Sequence, residues 1–174
     1  VNFAQSKNMS IYGHVLAWHQ QNPNWLTSGN YSSNQLASIL KDHIEKVLAH
    51  FKNKIVAWDV VNEAFNENGS IRSSIWSDNP GIGQNGTAWI EQAFRWARAA
   101  DPTVELYYND YNIEPAGYAK ADAVYNMVRD FKNRGVPIDG VGLQMHVVSG
   151  SNWPDPIKVK QQIDRLTALG VKVR

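Results

Sequence analysis

Short apolar runs rich in β-branched and aromatic residues alternate along this chain with longer amphipathic stretches. Ile11 to Trp18 reads as a strand running into His19, and a polar loop from Gln20 to Ser33 follows. Leu36, Ile39, Leu40, Ile44, Val47, Leu48 and Phe51 then recur at spacings of three and four, which predicts a helix with Ser32 or Ser33 at its N-cap. Ile55 to Val61 is a second strand, with Val60 and Val61 expected to be buried on both faces. A Gly/Asn/Ser-rich loop from Asn66 to Thr87 leads to a helix through Trp89, Ile90, Ala93, Phe94 and Ala97, stopped at Asp101-Pro102. Val104 to Tyr108 predicts a third strand closing on Asn109-Asp110-Tyr111. A helix carrying Val124, Val128 and Phe131 ends at Gly135. Gly140 to Met145 is a fourth strand ending at His146. A last helix with Ile163, Leu166 and Leu169 ends at Gly170, and Val171 to Arg174 begins a fifth strand.

The order strand, loop, helix repeats, and the long loops follow the strands. That is a parallel α/β arrangement. Four complete units and the start of another make either part of an eight-fold β/α barrel or a small open sheet. At 174 residues the chain is short for a whole barrel, which takes ~250. No linker or low-complexity stretch divides residues 1–174, so they are read as one domain piece.

Composition narrows the chemistry. A formal net charge of +1 without charge runs gives no electrostatic footprint for nucleic acid or an anionic membrane. No apolar stretch approaches the ~20 residues of a transmembrane helix. Val1 opens directly into ordinary globular sequence without a signal peptide, which was either removed or belongs to a start that lies outside this sequence. Cysteine is absent, which removes disulfides, thiolate catalysis and Cys-ligated zinc. Asn8, Asn30, Asn68 and Asn85 match the N-glycosylation pattern, a short motif that chance also produces. Seven tryptophans and seven tyrosines supply faces for sugar rings, or simply core volume.

The chemistry-bearing residues all fall at C-terminal strand ends: His19, Asn62-Glu63, Asn109-Asp110, Gln144 and His146. In a barrel those ends converge on one mouth. Glu63 is the candidate general acid/base, because a glycosidic oxygen leaves poorly unless protonated by a carboxyl kept neutral at the working pH. Trp58, Phe65 and nearby aromatics are candidates for that apolar setting. The plainer reading of Glu63 is a loop start or a helix cap. Asn62 can donate to a sugar 2-hydroxyl or serve as a turn residue. His19 and His146 fit an orienting role better than a metal site, since no His-x-x-x-His helix pair is present. His14 reads as a hydrogen-bonded core residue within its strand, and His43 and His50 as structural. Asp59 lies inside its strand and reads as a buried structural group. Asp110 reads either as an acting carboxylate or as a strand-end turn residue. Trp18, Trp25 and Tyr111 can stack on sugars, whereas Trp58, Trp89 and Trp96 read as core. No Gly-rich phosphate loop or Ser-centred nucleophile elbow appears.

Four segments together resemble glycoside hydrolase family ten, the retaining endo-β-1,4-xylanases. Gly13-His14-Val15-Leu16-Ala17-Trp18-His19-Gln20, with Pro23-Asn24-Trp25 after it, is similar to the family's third-strand motif. Trp58 to Phe65 is similar to its acid/base motif, Tyr107 to Asn112 to its fifth-strand motif, and Gly135 to His146 to its sixth. Val15-Leu16-Ala17 departs mildly from the usual Thr-Leu-Val. The resemblance implies a (β/α)8 TIM barrel of which strands three to six and the start of seven are present. It implies Glu63 as acid/base and Asn62 as the 2-hydroxyl contact. His19 would bind the sugar just before the cleavage point, and Tyr111 would line its far side. Gln144 and His146 would lie beside the nucleophile, with Asn109 and Asp110 supporting and Trp18 and Trp25 among the substrate contacts.

The resemblance further implies a secreted enzyme, extracellular or periplasmic, with a monomeric catalytic domain. Its partners would be xylan and xylo-oligosaccharides, with no cofactor, metal, nucleic acid or membrane. Family members continue from a segment like Gly170 to Arg174 into an Ile-Thr-Glu run whose Glu is the nucleophile, so that residue is expected just beyond Arg174. The first two strands and the eighth are expected outside this span. The span alone is therefore expected to be inactive and prone to aggregate at unpaired sheet edges. A related β-1,4-glycanase, or a barrel that binds xylan or cellulose without cutting it, are the alternative readings.

Overall fold

The structure, a computed structural model, describes residues 1–78, 80–83, 86–151 and 153–174; the acceptor pattern at Asn85 lies outside them. The elements in order are α1 (Asn2–Ser6), β1 (Tyr12–Ala17), α2 (Asn24–Thr27), α3 (Ser33–Phe51), β2 (Ala57–Asn62) and α4 (Ala88–Ala100). They are followed by β3 (Glu105–Asp110), α5 (Ala119–Asn133), β4 (Gly140–Leu143), α6 (Pro156–Ala168) and β5 (Lys172–Val173). The five strands form one sheet in the order β1-β2-β3-β4-β5, every pair parallel.

Local chemistry explains the boundaries. Ser32 is the N-cap of α3: its hydroxyl accepts from the Gln35 N–H while the Gln35 side chain accepts from the Ser32 N–H, a reciprocal capping box. Leu36, Leu40, Ile44 and Leu48 then present one buried stripe. α4 stops at Asp101, ahead of Pro102. Asp155 caps α6, with Pro156 in the first turn, where its missing N–H costs nothing. The short helices α1 and α2, of five and four residues, fall where no period was visible, and α2 interrupts the expected loop from Gln20 to Ser33.

The core lies between the sheet and its helices. Trp58 packs against Phe51 of α3, with ring centroids 5.8 Å apart, and fills the space above Gly13, where a Cβ would sit 2.3 Å from the indole. Phe94 of α4 meets Phe131 of α5 edge-on at 6.3 Å. Trp89 is buried as expected, and Trp96 packs on the core from the partly buried rim.

The opposite face of the sheet is open. Tyr12 and Tyr107 meet edge-on there, and the Arg174 guanidinium lies over the Tyr12 ring. Asp59 is buried as expected, accepting from Tyr12 Oη at 2.6 Å and pairing with His14 Nδ1 at 2.8 Å. His14 itself is not a core residue, because its side chain is 49% exposed.

One irregularity in β2 sets up the site. Asp59 is opposite Tyr107 and Asn62 opposite Asn109, so three steps along β2 match two along β3. This bulge at Val60 keeps both Asp59 and Asn62 on the open face, which strict alternation forbids.

Candidate active site

Hydrogen bonds join the C-terminal ends of the first four strands into one cluster. β2 ends at Asn62, and Glu63 follows in the left-handed conformation at φ 56°. A non-glycine residue there is strained, and such strain gathers at functional sites. Glu63 N–H donates to the Asn109 carbonyl at 2.9 Å, which fixes the turn. The carboxylate then receives Gln144 Nε2 on Oε1 at 2.9 Å and Trp18 Nε1 on Oε2 at 3.1 Å. Asn62 Oδ1 accepts from Asn109 Nδ2 at 2.8 Å and from Gln144 Nε2 at 3.1 Å, so its amide nitrogen is the donor end, with one of its two N–H groups acting on Glu63. Gln144 Oε1 pairs with His146 Nε2 at 2.9 Å, and His146 is exposed.

The electrostatics of Glu63 differ from the sequence expectation. Burial raises its pKa, but the hydrogen bonds from Gln144, Trp18 and Asn62, with the nearby His19, prevail and hold it below the ordinary carboxylate value. Trp58 and Phe65 do not form its setting. Trp58 lies on the helix-covered face against Phe51, and Phe65 packs on Tyr108 at 6.0 Å. The aromatic against Glu63 is Trp18, which brings an N–H donor along with its apolar ring. Trp18 is fixed in turn by Trp76, whose Nε1 donates to the Trp18 carbonyl at 3.0 Å.

Asn109 and Asp110 are strand residues, because β3 extends through Asp110. Asp110 is fully buried beneath the site. It accepts from Tyr108 Oη at 2.6 Å and pairs at 2.9 Å with Lys120 Nζ, itself 1% exposed. Burial pushes Asp110 up to about 6 despite the opposing pull of Lys120 and the Tyr108 hydroxyl. The Tyr108 hydroxyl also accepts the Ala64 N–H at 2.9 Å, so this buried chain supports the turn after Glu63.

His19 lies close enough to Glu63 and Arg72 to feel both. Burial first, then the Arg72 charge, lower its pKa, and its buried Nδ1 has no partner among the described residues. Tyr111 reaches the cluster through Arg72, which donates to its hydroxyl at 2.9 Å, and Lys120 Nζ stands 3.5 Å from the ring centroid. One ring face is thus taken by a cation. Trp25 is not drawn into the cluster. It is 56% exposed, edge-on to Tyr31, and lines a groove of about 380 Å³ with Trp18, Trp76, Leu26 and Ile39.

Sequence reasoning missed Arg72 and Lys120. The Asn68-Gly69 pair between Phe65 and Ile71 is a hairpin-turn signal that points to Arg72 returning toward Glu63. Lys120, in a helix's first turn, carried no such signal. Among the described residues no group of three or more His, Cys, Asp or Glu is placed to hold a metal, and no helix is long and apolar enough to cross a membrane.

The sequence matches Glycosyl hydrolase family 10 over residues 1–174. The chain belongs to this family. It is 42% identical over 174 residues to endo-1,4-β-xylanase B of Thermotoga neapolitana, covering 99% of this chain and 48% of that protein. Xylanase 10B from Thermotoga petrophila RKU-1, solved with xylobiose, superposes with a TM-score of 0.89 at 42% identity, covering 99% of this chain and 50% of that one. An intracellular xylanase from Thermoanaerobacterium saccharolyticum gives a TM-score of 0.88 at 42% identity, covering 99% and 54%. The chain therefore spans about half the length of the curated relatives it matches. Its five parallel strands are part of the (β/α)8 barrel that family 10 members share.

Proposed function

We propose that the protein containing this span hydrolyses internal β-1,4-xylosidic bonds of xylan by a retaining double displacement, with Glu63 as acid/base. The observation that carries the reading is Glu63 itself, held between Trp18 and Gln144 at the end of a barrel strand, next to an Asn62 whose amide nitrogen is its donor end. Xylan and xylo-oligosaccharides are the substrates this chemistry fits, and a relative is solved with xylobiose. Residues 1–174 act as the central portion of one barrel, and the nucleophile carboxylate follows Arg174. A retaining pair stands ~5–5.5 Å apart. That second negative charge raises the Glu63 pKa by repulsion, countering the depression described above, so Glu63 can hold its proton until the leaving oxygen takes it.

Asn62 donates to the 2-hydroxyl, a contact that tightens as the ring flattens toward an oxocarbenium ion. His19 binds the sugar before the cleavage point, and His146, beside Gln144, hydrogen-bonds the nucleophile. Tyr111 borders the site beyond the cleavage point. Trp18 and Trp25 extend the aromatic lining, with Asn109 and Asp110 in support. The whole protein acts outside the cytoplasm as a monomeric catalytic domain.

The test replaces Glu63 in the full-length protein. Glu63→Ala lowers kcat on xylan by ~10²–10⁴. It spares the first step on an aryl xylobioside whose leaving group needs no proton, and azide restores turnover as the β-xylosyl azide. Unchanged xylan hydrolysis by this variant overturns the assignment.

A further inference from the structure

We propose that Arg72 is a positioning residue that locks the Glu63 backbone in its left-handed turn and ties it to Tyr111. The inference rests on the reading of Glu63 as acid/base. The chain after Glu63 doubles back as a small hairpin. Asn66 N–H donates to the Ser70 carbonyl and Arg72 N–H to the Ala64 carbonyl, both at 2.8 Å, while Phe65 bridges Ile71 in antiparallel fashion. Gly69, at φ 81°, makes the turn without strain. The result returns Arg72 to the start of the loop.

There the guanidinium spends its donors on neutral oxygens. Nε donates to the Glu63 carbonyl at 2.9 Å, and Nη2 to the Phe65 carbonyl at 3.0 Å and the Tyr111 hydroxyl at 2.9 Å. Among the described residues no carboxylate forms an ion pair with Arg72. A fixed planar fork with donors on both edges suits this task, and a lysine ammonium does not reproduce it. Glu63 holds φ 56° only because its N–H and C=O are both fixed, the first by Asn109 and the second by Arg72. Release of the carbonyl lets the backbone leave that strained region and swing the carboxylate away from Trp18 and Gln144. The hairpin is pinned at its tip as well, since Glu67 accepts from Lys120 Nζ at 3.2 Å and Asn112 Nδ2 at 3.3 Å. Loss of Arg72 therefore loosens the acid/base before it unfolds the loop.

The experiment compares Arg72→Ala and Arg72→Lys with Glu63→Ala in the full-length protein, on xylan and on an activated aryl xylobioside. Both Arg72 variants lower kcat on xylan at least tenfold with little change in KM. Their loss in kcat/KM is much smaller on the activated substrate, whose first step needs no proton, and free guanidinium ion partly restores the Ala variant. Full kcat on xylan in Arg72→Lys, or an equal loss on both substrates without guanidinium rescue, overturns the proposal. Should Arg72→Ala fail to fold, the Lys variant alone decides by the same two substrates. If Glu63→Ala shows the leaving-group dependence and the Arg72 variants do not, only the positioning role falls. If Glu63→Ala lacks it too, the acid/base reading falls first.

Discussion

At Glu63 burial and hydrogen bonding pull against each other, and the donors from Gln144, Trp18 and Asn62 leave the carboxyl more acidic than usual. The largest of those donors comes from Gln144, just past the end of β4 two places along the sheet, so the acid's strength is set across strands. Gln144→Leu removes that donor and destabilises the ionised form, so the Glu63 pKa rises. Because the protonated carboxyl is the active form for bond cleavage, the high-pH limb of the kcat/KM profile moves to higher pH in this variant. A profile measured on the full-length protein checks it, and an unmoved or acid-shifted limb contradicts it. Glu63, Asn62, Gln144 and Asn109 were visible in the sequence because each closes an apolar run. The partners were not. Trp58 was read as core and lies under α3, but it was also offered as the apolar setting of Glu63, and only the fold shows that Trp18 stands on the carboxylate instead. His14 was read as a hydrogen-bonded core residue, and it keeps the hydrogen bond, to Asp59, on a ring that is half exposed in the first strand of this span.

Among the elements, the seam between the β2 and β3 ends depends on a buried ion pair. Asp110 and Lys120 are both almost fully buried, and the pair also carries Tyr108 and Tyr111. Lys120→Met leaves Asp110 without its cation, a change that costs ~3–5 kcal/mol when a buried pair is broken from one side. The pH dependence has a defined sign. Asp110 is raised from an ordinary 3.8 to about 6, so the folded state holds its proton longer than the unfolded chain and stability falls as pH rises through that window. Lys120 opposes that rise, so its loss extends the window upward. Urea denaturation of Lys120→Met should show little loss below pH 4 and the full loss well above pH 6. A loss that is equal at both ends contradicts the pairing. The long helices α3, α4 and α5 were legible because their apolar periods run for several turns. By contrast, β3 outruns its prediction by two residues because Asn109 and Asp110 look like turn residues in isolation, and only their pairing with β2 and β4 reveals them as strand.

At the scale of the whole span, β1 and β5 are its outer strands, and the open face of the sheet carries Tyr12, His14, Asp59, Tyr107 and Arg174 around a cavity of about 290 Å³. Polar groups on such a face await other side chains or water, and unpaired edges invite association. The 174-residue span purified alone is therefore expected to release no xylo-oligosaccharides from xylan and to associate with itself. Measurable release would show that the span suffices. The repeating strand and helix order announced a parallel α/β arrangement and the family resemblance made it a barrel, whereas the inward side chains could not be assigned before the bulge at Val60 was seen. The spatial order of the strands is also their order in the chain, β1 to β5, with no strand inserted between earlier neighbours. Each strand and its following helix can thus dock on the edge left by the unit before, as the ribosome delivers it, without reopening any pairing already made.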